Sequence, residues 1–211
     1  MNIMIKCIIF DCDGTLVDSE YLCNLGLEIK LKEYGVVASA KEMMDQFRGG
    51  KLATILQTIE LEHQIKLKAD FIASYRLLVD ELFEKDLKPC KGVSEVLAEL
   101  KLPKCVASSG PLEKINKALS ITGLLDHFNG NIFSSYEVNS WKPDPGIFFH
   151  VAEEMGFQPN ECAVVEDSLM GISAAKSAGM RPILYDPNGT HDPTSWLHII
   201  RHMRELQSAI T

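Results

Sequence analysis

The sequence predicts an α/β protein, a doubly wound parallel sheet carrying an inserted α-helical unit. Short, nearly continuous apolar runs alternate with helix-length stretches through the C-terminal two thirds of the chain, the pattern of repeated strand–helix–strand units. Acidic and hydroxyl residues collect just beyond the ends of those runs. After the first run comes a long stretch with no strand signal at all.

The strand-like runs are 5–10, 105–107, 131–134, 163–165 and 182–185. Each is too short for a helix and apolar almost throughout, as strands covered on both faces are. Helices are expected at 92–100, 111–120, 145–155 and 169–178. Between the first two runs, 19–34, 40–47, 52–62 and 69–85 look helical, with turns at Gly35 and Gly49–Gly50. Four helices with no strand between two sheet strands imply a separate unit. The expected division is a core of 1–15 and 88–211 and a helical cap of 16–87, with Lys88-Pro89 as the return linker. His198 and His202 stand four apart and are expected on a solvated terminal helix, where they could also form a metal face.

The chain of 211 residues is 46% apolar and 24% charged, enough to bury a core and unlike a disordered chain. Lys+Arg (21) less Asp+Glu (29) gives −8. That argues against nucleic acid or an anionic membrane surface as partner, since both need clustered positive charge. An anionic small molecule stays open, because a metal and a few cations can set the local field. No apolar run reaches the length of a membrane span, and the first residues lack a signal-peptide layout. Six cysteines without a C-x-x-C pair read as buried thiols in a reducing compartment. A cytoplasmic monomer is expected.

Functional residues of parallel sheets gather at the carboxyl ends of strands. Those ends carry Asp11-Cys12-Asp13-Gly14-Thr15, then Ser108-Ser109-Gly110, then Glu166-Asp167-Ser168, with Trp141-Lys142-Pro143-Asp144-Pro145 beyond the third run. Carboxylates crowded into one crevice require a cation, and oxygen ligands suit Mg²⁺. A lysine and a hydroxyl beside that ion suit a phosphoryl group. Each residue also has a plainer reading. Ser108 could cap the helix starting near Pro111, Lys142 could be a solvated turn lysine, and Glu166-Asp167 could simply favour a helix N-terminus.

DCDGTLVDSE, Ser108, Lys142 in WKPDP and VVEDS together resemble, in order, the four motifs of the haloacid dehalogenase superfamily. The helical insert resembles the cap of its phosphoglucomutase-like and phosphoglycolate phosphatase-like branch. FRGGKL and the spacing look most like the bacterial 6-phosphogluconate phosphatase group. The resemblance implies Asp11 as nucleophile, forming an aspartyl-phosphate, and Asp13 as the acid and then the base. It implies Ser108, Ser109 and Lys142 at the phosphoryl oxygens, with Lys142 also keeping Asp11 ionised. It implies Mg²⁺ on Asp11, the Asp13 carbonyl, Asp167 and Glu166, the last directly or through a water.

Arg48 and Lys51, beside Gly49–Gly50, either meet the acid end of a sugar-acid phosphate or stand solvated at a helix–helix turn. The activity implied is phosphomonoester hydrolysis of a small phosphorylated metabolite. Dehalogenation is disfavoured by Asp13. A phosphosugar mutase is disfavoured by Cys23, which stands where the mutases carry a histidine acid/base. A receiver-like phospho-acceptor is disfavoured by the helical insert.

Overall fold

The computed structural model describes residues 4–192 and 197–210. They form two compact units, Met1–Val17 with Pro89–Thr211, and Asp18–Lys88.

The first unit is built on one sheet of six parallel strands in the order β3-β2-β1-β4-β5-β6. These are β1 (Cys7–Phe10), β2 (Lys104–Ser108), β3 (Ile132–Ser134), β4 (Cys162–Glu166), β5 (Arg181–Tyr185) and β6 (His198–Ile200). Every residue of β1 and β4 is buried, which explains their unbroken apolar runs. The order reverses between β1 and β4. A crevice therefore opens at their carboxyl ends, because the two halves of the sheet wind away from each other there.

Helices α5 (Val93–Glu99), α6 (Leu112–Ile121), α7 (Ser135–Val138), α8 (Gly146–Met155), α9 (Leu169–Ser177) and α10 (Leu206–Ala209) belong to the same unit. On one sheet face Ile9, Ala107 and Val164 pack with Ile147, Phe148 and Val151 of α8 and with Ala174 and Ala175 of α9. Cys7, Cys105 and Cys162 belong to that cluster, and none of the six cysteines is in a disulfide.

The second unit holds α1 (Glu20–Lys32), α2 (Ala40–Phe47), α3 (Leu52–His63) and α4 (Phe71–Asp86). Its α1 and α4 meet at Gly26, where a Cβ would lie 2.8 Å from Val79 Cγ2. The Tyr34 and Phe71 rings meet edge to face at 5.7 Å. Glu28 Oε2 accepts from the Ala40 N–H at 2.8 Å, tying the start of α2 to α1. The expected turn between α2 and α3 is present, with Gly49 at φ +72.

One expectation is corrected. The segment around His198 is not a terminal helix but the edge strand β6, with His198 exposed. Ile200 is buried, and its carbonyl accepts from the Asp186 N–H at 2.9 Å. Arg201 also donates to the Asp186 carboxylate at 3.0 Å. Burial of Leu197 and Ile200 and the pull of Asp186 override the helical spacing. The two histidines do not form a metal face: His202 Nδ1 instead accepts from the Arg204 N–H at 3.1 Å. No helix among the described residues is long and apolar enough to cross a membrane.

Candidate active site

The site is assembled from the carboxyl ends of β1, β2 and β4. Asp11 directly follows β1, and its N–H still bonds the Val165 carbonyl at 2.9 Å. The chain must then turn sharply past Asp167. Gly14 makes this feasible: its φ is +76, and a Cβ there would lie 2.3 Å from Asp167 Oδ2. Only glycine satisfies both demands.

Lys142 occupies the centre. Its Nζ donates to Asp11 Oδ1 at 2.5 Å, to Glu166 Oε1 at 2.7 Å and to the Ala107 carbonyl at 3.0 Å. These contacts use all three ammonium donors. Lys142 is only 7% exposed, with the Phe148 ring 5.4 Å from Nζ. It is not a solvated turn lysine. Its loop is braced by Asp144 Oδ1, which accepts from Ser140 Oγ at 2.6 Å and from the Gly146 N–H at 2.8 Å.

Glu166 is held on its other oxygen by the Ser168 N–H and hydroxyl, at 2.7 and 2.8 Å. Ser168, not the acidic pair, caps α9, accepting from the Gly171 N–H at 3.1 Å. Nor does Ser108 cap α6, whose N-cap position is Pro111. Ser108 is buried at the end of β2, and its Oγ accepts from the Gly110 N–H at 3.1 Å. Ser109 follows it, half-buried. Ser134 Oγ donates to the Gly110 carbonyl at 2.6 Å and steadies this loop.

Asp11, Glu166 and Asp167, all buried, can bring carboxylate oxygens within 4.8 Å of one another. Three carboxylates and one ammonium leave two negative charges in a desolvated space. Burial pushes the Asp11 carboxyl from 3.8 up to about 8, against the pull of Lys142, and Glu166 adds to the rise. Burial alone would lower Lys142, but Asp11 and Glu166 outweigh it and hold its value above the ordinary one. Lys142 is shared by two buried carboxylates, so its one positive charge does not balance the group. A hard divalent ion fits this donor set in charge and in ligand type.

Asp13 stands apart from that carboxylate group. Lys114 Nζ lies 2.8 Å from each of its oxygens. Lys114 was not legible in the sequence, where it is one more lysine on an amphipathic helix. Arg48 and Lys51 flank the Gly49–Gly50 turn of the helical unit, both half-buried.

A doubly wound sheet with carboxylates, a buried lysine and a hydroxyl at its switch point defines an enzyme of the phosphoryl-handling kind. The model of the haloacid dehalogenase-like hydrolases matches residues 5–179, and the chain belongs to that family. It is an enzyme, a phosphatase of this family. The 6-phosphogluconate phosphatase of Escherichia coli K12 is 35% identical over 187 residues, covering 87% of this chain and 85% of that protein. The β-phosphoglucomutase of Bacillus subtilis is 29% identical, over 83% of this chain and 80% of that one. A haloacid dehalogenase-like protein of Agrobacterium tumefaciens shares the fold with a TM-score of 0.83 and 33% identity, over 98% of this chain and 97% of that one.

Two outcomes are expected from this geometry. A Cβ on Gly171 would lie 1.9 Å from Glu166 Oε1. Gly171→Ala should therefore destabilise the protein by roughly 1–3 kcal/mol, although alanine ordinarily gains about 1 kcal/mol in a helix. A variant more stable to urea than the wild type would contradict the close fit.

The second concerns Asp11 without metal. A group whose folded value is raised supports the fold fully below its unfolded value, and that support is lost as pH rises through the folded value. The window runs from 3.8 to about 8. With EDTA present, Asp11→Asn should gain in melting temperature over the wild type as pH rises across that window. A difference independent of pH would show that Asp11 carries no burial penalty.

Proposed function

We propose that this phosphatase is a Mg²⁺-dependent phosphomonoester hydrolase working through an aspartyl-phosphate on Asp11. Its substrate would be a small sugar or sugar-acid phosphate such as 6-phosphogluconate. The observation that carries the reading is the buried Lys142, shared between Asp11 and Glu166 with Asp167 beside them. This arrangement concentrates a nucleophilic carboxylate and a deficit of positive charge at one point. The 35% identity to a 6-phosphogluconate phosphatase supports the choice of substrate.

Asp11, Asp167 and Glu166, with the Asp13 carbonyl, would hold Mg²⁺, which when bound supplies the positive charge that phosphoryl transfer needs. Asp11 would attack phosphorus in line. Asp13 would give its proton to the leaving oxygen, then take one from the incoming water. Ser108 and Ser109, at the end of β2, would donate to the phosphoryl oxygens. Lys142 would orient Asp11, and a phosphoryl oxygen would take up one of its donors only as a present acceptor lets go. Arg48 and Lys51 are the proposed cations for the carboxylate of a sugar acid. A cytoplasmic monomer with neither nucleic acid nor membrane as partner belongs to the same proposal, supported by the acidic balance and the six thiols outside disulfides.

The experiment is phosphate release from a panel of sugar phosphates, sugar-acid phosphates and nucleotides, with Mg²⁺ and again with EDTA. Metal-dependent release that favours a sugar acid, and falls by about 10³-fold or more in Asp11→Asn, is expected. Even release over the panel would remove the sugar-acid assignment. Near wild-type turnover in Asp11→Asn would overturn the mechanism. Conversion of a sugar phosphate to its isomer without phosphate release would make the enzyme a mutase.

A further inference from the structure

We propose that Lys114 is a positioning residue for Asp13, gripping both carboxylate oxygens so that Asp13 faces the water that hydrolyses the phosphoenzyme. The inference rests on the mechanism proposed above and assigns a residue that none of the four motifs contains.

Three features set this pair apart from an ordinary surface contact. The first is its geometry: the Nζ of Lys114 is 2.8 Å from Asp13 Oδ1 and 2.8 Å from Oδ2. A contact to both oxygens fixes the plane of the carboxylate, which a contact to one does not. The two side chains are 27% and 21% exposed, so solvent competes less than it does at fully exposed pairs.

The second is where the lysine stands. Lys114 lies in the first turn of α6. A cation there opposes the helix dipole and costs roughly 0.3–1 kcal/mol. A carboxylate that meets the ammonium offsets that cost, and Asp13 supplies one.

The third is what lies nearby. A Cβ built on Gly110 would be 3.5 Å from Ser108 Oγ, 3.7 Å from Asp13 Oδ2 and 3.7 Å from Lys114 Cδ. The hydroxyl proposed to hold the phosphoryl group, the proposed acid/base and the stem of the lysine thus surround one small space. Helix α6 begins directly after the Ser108–Pro111 loop, which Ser134 pins through the Gly110 carbonyl at 2.6 Å. Lys114 therefore carries the position of that loop to Asp13.

In the second half of the reaction, the oxygen of water forms its bond to phosphorus as the bond from phosphorus to the Asp11 oxygen breaks. The electron pair of that bond returns to the Asp11 carboxylate. One water proton passes to Asp13, which holds it for the next leaving group. An Asp13 left to rotate would present its oxygens to this water only part of the time. Formation of the phosphoenzyme depends less on the clamp when the leaving group needs no proton.

p-Nitrophenyl phosphate has such a leaving group and serves as the probe, with Mg²⁺ and acid-quenched measurement of the phosphoenzyme. In Lys114→Met, kcat is expected to fall about tenfold or more, a part of the roughly 10²–10⁴-fold that general base catalysis supplies. KM should not rise, and the fraction of enzyme held as phosphoenzyme should increase. Lys114→Arg should restore most of kcat. An unchanged kcat and phosphoenzyme fraction in Lys114→Met would overturn the inference. So would a raised KM with kcat retained, which would make Lys114 a substrate contact. A loss of kcat without phosphoenzyme accumulation and without rescue by arginine would reduce the pair to a structural role. A wild type that forms no phosphoenzyme at all would overturn the proposed mechanism itself, and this inference with it.

Discussion

The arrangement of the site depends on one buried ammonium. Lys142 bridges Asp11 from β1, Glu166 from β4 and the Ala107 carbonyl of β2, so a single side chain ties three adjacent strands together at their carboxyl ends. Removing one partner of such a buried pair generally costs about 3–5 kcal/mol, because it strands the other charge. Here the pairing is incomplete by construction, since Asp167 adds a third carboxylate and leaves two negative charges in excess. The fold supports that excess through the packing of the sheet, whose central strands are wholly buried. The site gains from it a pronounced affinity for positive charge.

The close approaches around this centre follow from the same need. Gly14 lets the chain pass Asp167, and Gly171 lets α9 pass Glu166; a methyl group at either place would occupy the position of a carboxylate oxygen. Ser168 holds the remaining oxygen of Glu166 while starting α9. These residues make no chemistry of their own. They hold carboxylates closer together than their charges favour, which gives the site its preference for a cation.

Much of this was legible in the sequence, for definite reasons. Strands buried on both faces must be apolar throughout, so β1, β2, β4 and β5 stood out from the helices between them. Polar residues just past such runs have few plain explanations, and Asp11, Ser108, Glu166 and Asp167 were found in that way. The edge strand β6 was hidden because it is only His198–Ile200, and His198 and His202 share the spacing of a helix turn. Lys114 was hidden because its partner is 101 residues away, and no local pattern separates a clamped lysine from a solvated one. The raised value of Asp11 was hidden as well. The family resemblance implied its lysine partner but not that Glu166 draws on the same ammonium.

One shared ammonium leaves the three buried carboxylates short of positive charge, a deficit that a divalent ion would fill. Calorimetric titration of Mg²⁺ into the metal-free protein near neutral pH, repeated in buffers of different ionisation enthalpy, tests it directly. One ion should bind per chain with net release of protons, because burial holds the Asp11 carboxyl above the ordinary carboxylate range before the ion binds and the charge of the ion favours the ionised form. Failure of Mg²⁺ to bind, or binding with protons taken up, would show that Lys142 alone already balances the three carboxylates, and would contradict the account.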